Sequence, residues 1–165
     1  DRKAEGIIAD LSVRENIILA VQAKQGILKK IPMAKQCEIA DKYIDLLQIK
    51  CASRETLIKQ LSGGNQQKLA VARSVAVQPK LLLLNDPTKG VDINSRREIH
   101  RILHDCSEQG MGVVLVSSDS EELLSVCNRI YVFYEGKAVD VLTGERRTEE
   151  NLVRAMIGMT EGDKQ

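Results

Sequence analysis

Along residues 10–60 the apolar positions recur at intervals of three and four, the period of helices packed on one face. Ser12-Val-Arg-Glu15 fits a capping box, with Ser12 as N-cap and Glu15 reaching back, and predicts a helix from Val13 to about Lys24. Pro32 opens a second helix, with Ile39, Tyr43, Leu46 and Leu47 at helical spacing. A shorter helical piece over Arg54–Lys59 leads to Leu61. From Gly63 the period alternates. Asn65–Val77 reads as a helix with Leu69, Ala72, Val75 and Ala76 as its stripe, stopped by Pro79. Lys80–Asn85, KLLLLN, is a continuous apolar run that predicts a strand buried on both faces. Asn94 or Ser95 caps a following helix with Ile99, Ile102, Leu103 and Cys106 inward. Gly112–Ser117 predicts a second buried strand, and Glu121–Val126 a short helix. Arg129–Tyr134 and Lys137–Leu142 read as a hairpin turning at Glu135-Gly136. Thr148–Met156 is a last helix, closed by Gly158. Strands alternating with helices predict an α/β core with parallel strands, to which the hairpin adds an antiparallel edge.

The 165 residues suffice for a domain with its own core. Lys+Arg number 24 against 23 Asp+Glu, so the +1 net charge gives no electrostatic case for nucleic acid or an anionic membrane. Aromatics at 2% leave few platforms for stacking bases. The longest apolar run, near Leu81–Leu84, falls far below the ~18–20 residues that span a bilayer. No signal peptide is visible in the opening DRKAEG, and without an initiator Met the expectation is a processed chain or an excerpt. Cys37, Cys51, Cys106 and Cys127 form no CxxC and read as reduced thiols. His100 and His104 have the i, i+4 spacing of a zinc pair, but no third ligand accompanies them. Lys68 reads as a solvated charge with no assigned chemistry.

Two stretches carry candidate chemistry. In LSGGNQQKLAVAR, Leu61 to Arg73, Ser62, Gly63 and Gly64 stand at a helix start. Unpaired N–H groups and the helix dipole there suit a phosphate oxygen, and glycine lets it come close to the backbone. Taken alone, Ser-Gly-Gly is equally an ordinary cap. In LLLLNDPTKGVD, Leu81 to Asp92, a strand delivers Asn85 and Asp86 to its C-terminal end, the edge where open α/β sheets bind ligands. A carboxylate there can hold Mg²⁺ through water or orient an attacking water.

Together these stretches resemble the ATP-binding-cassette (ABC) ATPases, over essentially the whole chain. LSGGNQQK resembles their signature, LLLLND their Walker B strand, PTKGVD the segment into the D-loop, and Leu115–Asp119, LVSSD, the switch-histidine loop. The variant GNQQK with PTKGVDI, together with DRKAEG, DLSVRENI and RTEENLVRAMIG, is similar to the second cassette of sugar importers of the ribose, galactose and xylose type. The resemblance implies part of a P-loop NTPase (RecA-like) cassette. Residues 1–62 would be the helical subdomain region ending in the signature, 63–142 the second half of the RecA-like core, and 143–165 the C-terminal helix and tail. Asp1, Arg2 and Lys3 match the end of the Q-loop region.

The resemblance also implies roles. Ser62, Gly63, Gly64 and Gln66 would serve ATP held by a partner cassette, and Asp92 would act in the D-loop. Asn85 stands at the Walker B Asp position, Asp86 at the catalytic Glu position and Ser118 at the switch His position. Asn85 and Asp86 would meet Mg²⁺ through water, but an amide lacks the favourable charge, Asp86 reaches less far, and serine replaces imidazole poorly. No G-x-x-x-x-G-K-[ST] occurs among the 11 glycines, so Walker A is absent. The family has that loop upstream of the region matched here, so the expectation is a C-terminal part of a cassette, inactive in isolation, with an uncovered sheet edge open to self-pairing. The function implied is the ATPase subunit of an importer of a small solute, a monosaccharide, with ATP and Mg²⁺ as cofactors. Its partners would be the first cassette, transmembrane permease subunits and, indirectly, a periplasmic or extracellular solute-binding protein, with no nucleic acid. It would sit in the cytoplasm on the inner face of the membrane. Alternatives are a nucleoside importer, a half kept only for pairing, or a cassette acting on DNA or ribosomes; the last lacks its usual coiled coil or basic linker here.

Overall fold

The structure is a computed structural model that describes residues 6–26 and 28–159. Asp1, Arg2 and Lys3, the Q-loop match, lie outside the described residues. Two compact units divide the chain, Asp1–Val114 and Leu115–Gln165.

The first unit begins with α1 (Val13–Gln25), which carries the expected capping box: Glu15 N donates to Ser12 Oγ at 3.2 Å and Ser12 N to Glu15 Oε2 at 2.8 Å. Two further amides of its first turn are satisfied from a distance, Val13 N by Thr56 O at 3.0 Å and Arg14 N by Arg54 O at 2.9 Å. This overturns the helix expected over Arg54–Lys59. The carbonyls there bond to α1 instead, Ser12 and Leu57 form a bridge, and only a 3-10 turn, Ile58–Gln60, remains. Two polar residues of α1 are buried. Asn16 bonds the backbone of Ile8 in both directions, at 2.9 and 3.0 Å. Arg14 holds Glu55 at 2.7 and 3.0 Å and Gln36 at 2.6 Å.

α2 (Met33–Leu46) follows Pro32, and Ala40, Tyr43 and Leu47 are buried, whereas Leu46 is exposed rather than inward. It ends in a Schellman motif: Ile49 N donates to Ile44 O at 2.9 Å and Gln48 N to Asp45 O at 3.2 Å. The left-handed position that usually takes glycine is filled by Gln48, at φ 50°.

α3 (Gly63–Ala76) starts two residues earlier than the periodicity predicts, because Ser62 caps it. Leu69, Ala72, Val75 and Ala76 are buried as expected. Lys68 is a correction. It is 2% exposed, donates to Gln48 O at 3.0 Å and is ion-paired with Glu98. A four-carbon stem on the face next to Leu69 carries the ammonium inward, where a carboxylate and a carbonyl meet it.

β1 (Leu81–Asn85) and β2 (Gly112–Val116) pair in a two-stranded sheet, with α4 (Ile93–Glu108) as the crossover that makes them parallel. Neither strand is buried on both faces. Leu82 and Leu84 join the core, while Leu81, Leu83, Val114 and Val116 are exposed. An unbroken apolar run cannot distinguish one covered face from two. On α4, Ile99, Ile102, Leu103 and Cys106 face inward as expected, but the cap is Asp92, not Asn94 or Ser95. The core joins these residues to Ile17, Leu47, Ile58 and Leu69.

The second unit holds α5 (Ser120–Val126), a hairpin of β3 (Arg129–Tyr134) and β4 (Lys137–Thr143), and α6 (Glu149–Met156). Ile130, Val132 and Leu142 pack with Leu152 and Ala155 of α6. Tyr134 pairs with Lys137, so Glu135 and Gly136 form a two-residue turn. Both have positive φ, 47° and 76°, as a type I′ turn requires. Glu135 is exposed and sits where asparagine is favoured. Glu135→Asn should therefore stabilise this unit by about 0.5–1 kcal/mol, read as a higher midpoint in thermal or urea unfolding.

Candidate functional site

Ser62 sits at the exposed start of α3. Its Oγ accepts from Asn65 N at 3.4 Å and from Asn65 Nδ2 at 2.9 Å, which leaves its own O–H as a donor. The next two residues are both glycine for different reasons. Gly63 is exposed, and a Cβ there would meet nothing within 4 Å. Gly64 is buried, and a Cβ there would lie 2.4 Å from Ser95 Oγ, 3.0 Å from Asp92 Oδ2 and 3.1 Å from Ser95 Cβ. Gly63 thus leaves the backbone open to a ligand, and Gly64 lets α3 touch the start of α4. Gln66 is spent inward: its Nε2 donates to Ile58 O at 3.2 Å and Leu61 O at 3.1 Å, fixing the turn before the glycines.

The start of α4 lies against this edge. Asp92 caps it, accepting from Ser95 N at 3.0 Å and from Ser95 Oγ at 2.8 Å. The backbone and side-chain hydrogen bonds of Ser95 hold the Asp92 carboxyl below the usual carboxylate range. Two helix N-termini therefore share one edge, each with a partial positive charge, and Asp92 answers one of them.

At the end of β1, Asn85 is exposed and Asp86 turns into the left-handed region at φ 45°, which Asp tolerates better than most residues. Lys89 stands over it, with Nζ 3.8 Å from Asp86 Oδ2 and its N donating to Asp86 O at 3.2 Å. Of the two side chains only the Asp86 carboxylate is anionic, and the Lys89 ammonium beside it offsets part of the charge it could offer Mg²⁺. Among the described residues no group of three or more His, Cys, Asp or Glu is placed to hold a metal ion.

Ser118 belongs to the second unit, exposed between β2 and α5. Its neighbour Ser117 donates to the buried Glu122 at 2.5 Å and accepts from Asp119 N at 3.0 Å, while Asp119 caps α5 by accepting from Glu122 N at 3.1 Å. The structure thus brings Ser62, Gly63, Gly64 and Asp92 to one edge, puts Asn85 and Asp86 at the end of β1, and holds Ser118 in a separate unit. Lys68 and Glu122 escaped the reading of the sequence. The Asp119-x-x-Glu122 spacing carried a capping signal for the second; nothing local marked the first as buried.

A family model described as "ABC transporter" matches residues 2–89. The chain is 38% identical over 163 residues to the ribose import ATP-binding protein RbsA of Ruegeria sp. (strain TM1040), covering 98% of this chain and 32% of that relative. It is 45% identical over 132 residues to the fructose import ATP-binding protein FruK of Bifidobacterium longum (strain NCC 2705), covering 80% of this chain and 26% of the relative. The chain therefore spans about a third of the length of the curated relatives it matches. Among solved structures, the dimeric post-hydrolysis state of the ATP-binding cassette MJ0796, bound to ADP and Pi, superposes with a TM-score of 0.72 at 24% identity, over 83% of this chain and 58% of that one. The fold is that of part of a cassette.

The two glycines should separate experimentally. Gly63→Ala is expected to change stability by no more than about 0.5 kcal/mol. Gly64→Ala should cost about 1–3 kcal/mol through overpacking. Adding Ser95→Gly should recover part of that cost, seen as a non-additive term in a double-mutant cycle by urea unfolding.

Proposed function

The chain belongs to the ABC transporter family, and on that premise we propose that it is part of the ATP-binding subunit of an importer, coupling ATP hydrolysis to uptake of a small solute, a monosaccharide. The sugar-import relatives support the solute class. The observation that carries the reading is the open Ser62-Gly63 edge at the start of α3. An exposed hydroxyl, helix N–H groups without intrahelical acceptors and room beside Gly63 fit a phosphate presented from outside the chain. No Walker A stands in this sequence to present one. The phosphate is then that of ATP with Mg²⁺ held by a partner cassette, which the Ser62 hydroxyl and the α3 amides meet as the pair closes. Gln66 supports that edge by holding the preceding turn, and Asp92 flanks it.

The chain's own nucleotide side is the weaker half of the pair. Asn85 stands where the Walker B carboxylate would be, Asp86 where the catalytic Glu would be, and Ser118 where the switch His would be. The Lys89 ammonium beside Asp86 offsets the one carboxylate left and favours this reading. No helix among the described residues is long and apolar enough to cross a membrane. The chain works as a cytoplasmic, peripheral subunit, paired with the first cassette and docked on permease subunits that receive solute from a binding protein.

Ser62→Arg in the full-length protein with its permease should lower ATPase turnover at least about tenfold, because the cation and its bulk fill the edge that a phosphate must approach. Turnover near wild type overturns the assignment. Calorimetric titration of the 165-residue chain with Mg-ATP should give no saturable heat at millimolar nucleotide; saturable binding would require a phosphate site within this chain.

A further inference from the structure

Buried ion pairs seldom stabilise more than an apolar contact of the same volume, because two charges must leave water. Leu69, Ala72 and Val75 of α3 and Ile99 and Ile102 of α4 already share one apolar core. Yet Lys68, 2% exposed, is carried inward to meet Glu98, whose side chain stays 35% exposed, and the carbonyl of Gln48 at 3.0 Å. Apolar packing is not directional, whereas a charge held by a carboxylate and a carbonyl has fixed directions to keep.

The position of the pair gives it a consequence. Lys68 is four residues after Gly64 on α3, and Glu98 is three after Ser95 on α4, so each lies on the same helix face as the residue at the edge. Gly64 touches Ser95, and Ser95 holds Asp92. We infer that Lys68 and Glu98 are positioning residues that fix the register of α3 against α4, and so the placement of the Ser62-Gly63 edge relative to Asp92. They touch no nucleotide. The inference rests on the reading of Ser62 and Gly63 as the phosphate-facing edge. Register matters at that edge because closure must bring the hydroxyl and amides onto a phosphate together.

The test compares three full-length variants assayed with the permease: Lys68→Met with Glu98→Leu, Glu98→Asp alone, and Ser62→Arg. The double variant replaces the pair by apolar side chains. Its melting temperature should stay near wild type, its KM for ATP should stay within about twofold, and its kcat should fall about tenfold, a loss confined to the closed state. Glu98→Asp keeps the charge but withdraws it by one methylene. It should lower kcat about threefold or more with KM unchanged, and it serves where the double variant fails to fold. Wild-type kcat in a folded double variant, or in Glu98→Asp, overturns the inference. If Ser62→Arg abolishes turnover in the same experiment, the phosphate-facing reading stands and only the positioning role fails. If Ser62→Arg leaves turnover intact, the reading beneath it fails first.

Discussion

A lysine held almost entirely out of water ties three segments of the first unit together. The Lys68 side chain is almost fully buried, and such a group is tolerated only with partners of the right kind in reach. Glu98 supplies the countercharge and Gln48 a carbonyl. The ammonium and its two partners come from three different places: α3, the second turn of α4 and the cap of α2. None can move far without leaving the ammonium short of a bond. The packing of Leu69, Ile99, Ile102 and Leu47 supplies most of the driving force for the unit, and the ammonium selects one arrangement among those the packing allows.

That arrangement produces an edge with mixed electrostatics. Two helices that start side by side concentrate partial positive charge, and an acidic cap on only one leaves the other available. The α4 start is closed by the Asp92–Ser95 bonds; the α3 start is capped by a neutral serine with an exposed glycine after it. On the proposed reading, an incoming anion would meet amides and a hydroxyl at the α3 start and a fixed carboxylate at the α4 start.

Much of this was legible in the residues, and the rest failed for identifiable reasons. The capping box of α1, the stripe of α4 and the Glu135-Gly136 turn are local patterns, and each lies where its pattern put it. The Arg54–Lys59 helix failed because its carbonyls are claimed by α1, a contact between segments about 40 residues apart that no local spacing encodes. KLLLLN fixed a strand but not the number of covered faces. Lys68 was misread because residue type argues for solvent unless a partner is known, and Glu98 lies 30 positions on. For the site, the positions of Ser62 and Gly63 were readable from sequence, whereas the reason Gly64 must be glycine was visible only once Ser95 was seen against it.

The Schellman end of α2 has a consequence for how far a change on α3 can reach. With glycine at the left-handed position, such a cap forms from local residues alone. With Gln48 there, the backbone holds an unfavourable conformation that local hydrogen bonds only partly offset. The remaining hold on its carbonyl comes from Lys68, 20 residues downstream. The amides of this turn are held locally, and the Gln48 carbonyl is satisfied from outside α2 by a side chain of α3. A cap usually built from local bonds alone is here shared with a tertiary one, so a change at Lys68 is felt at the end of α2.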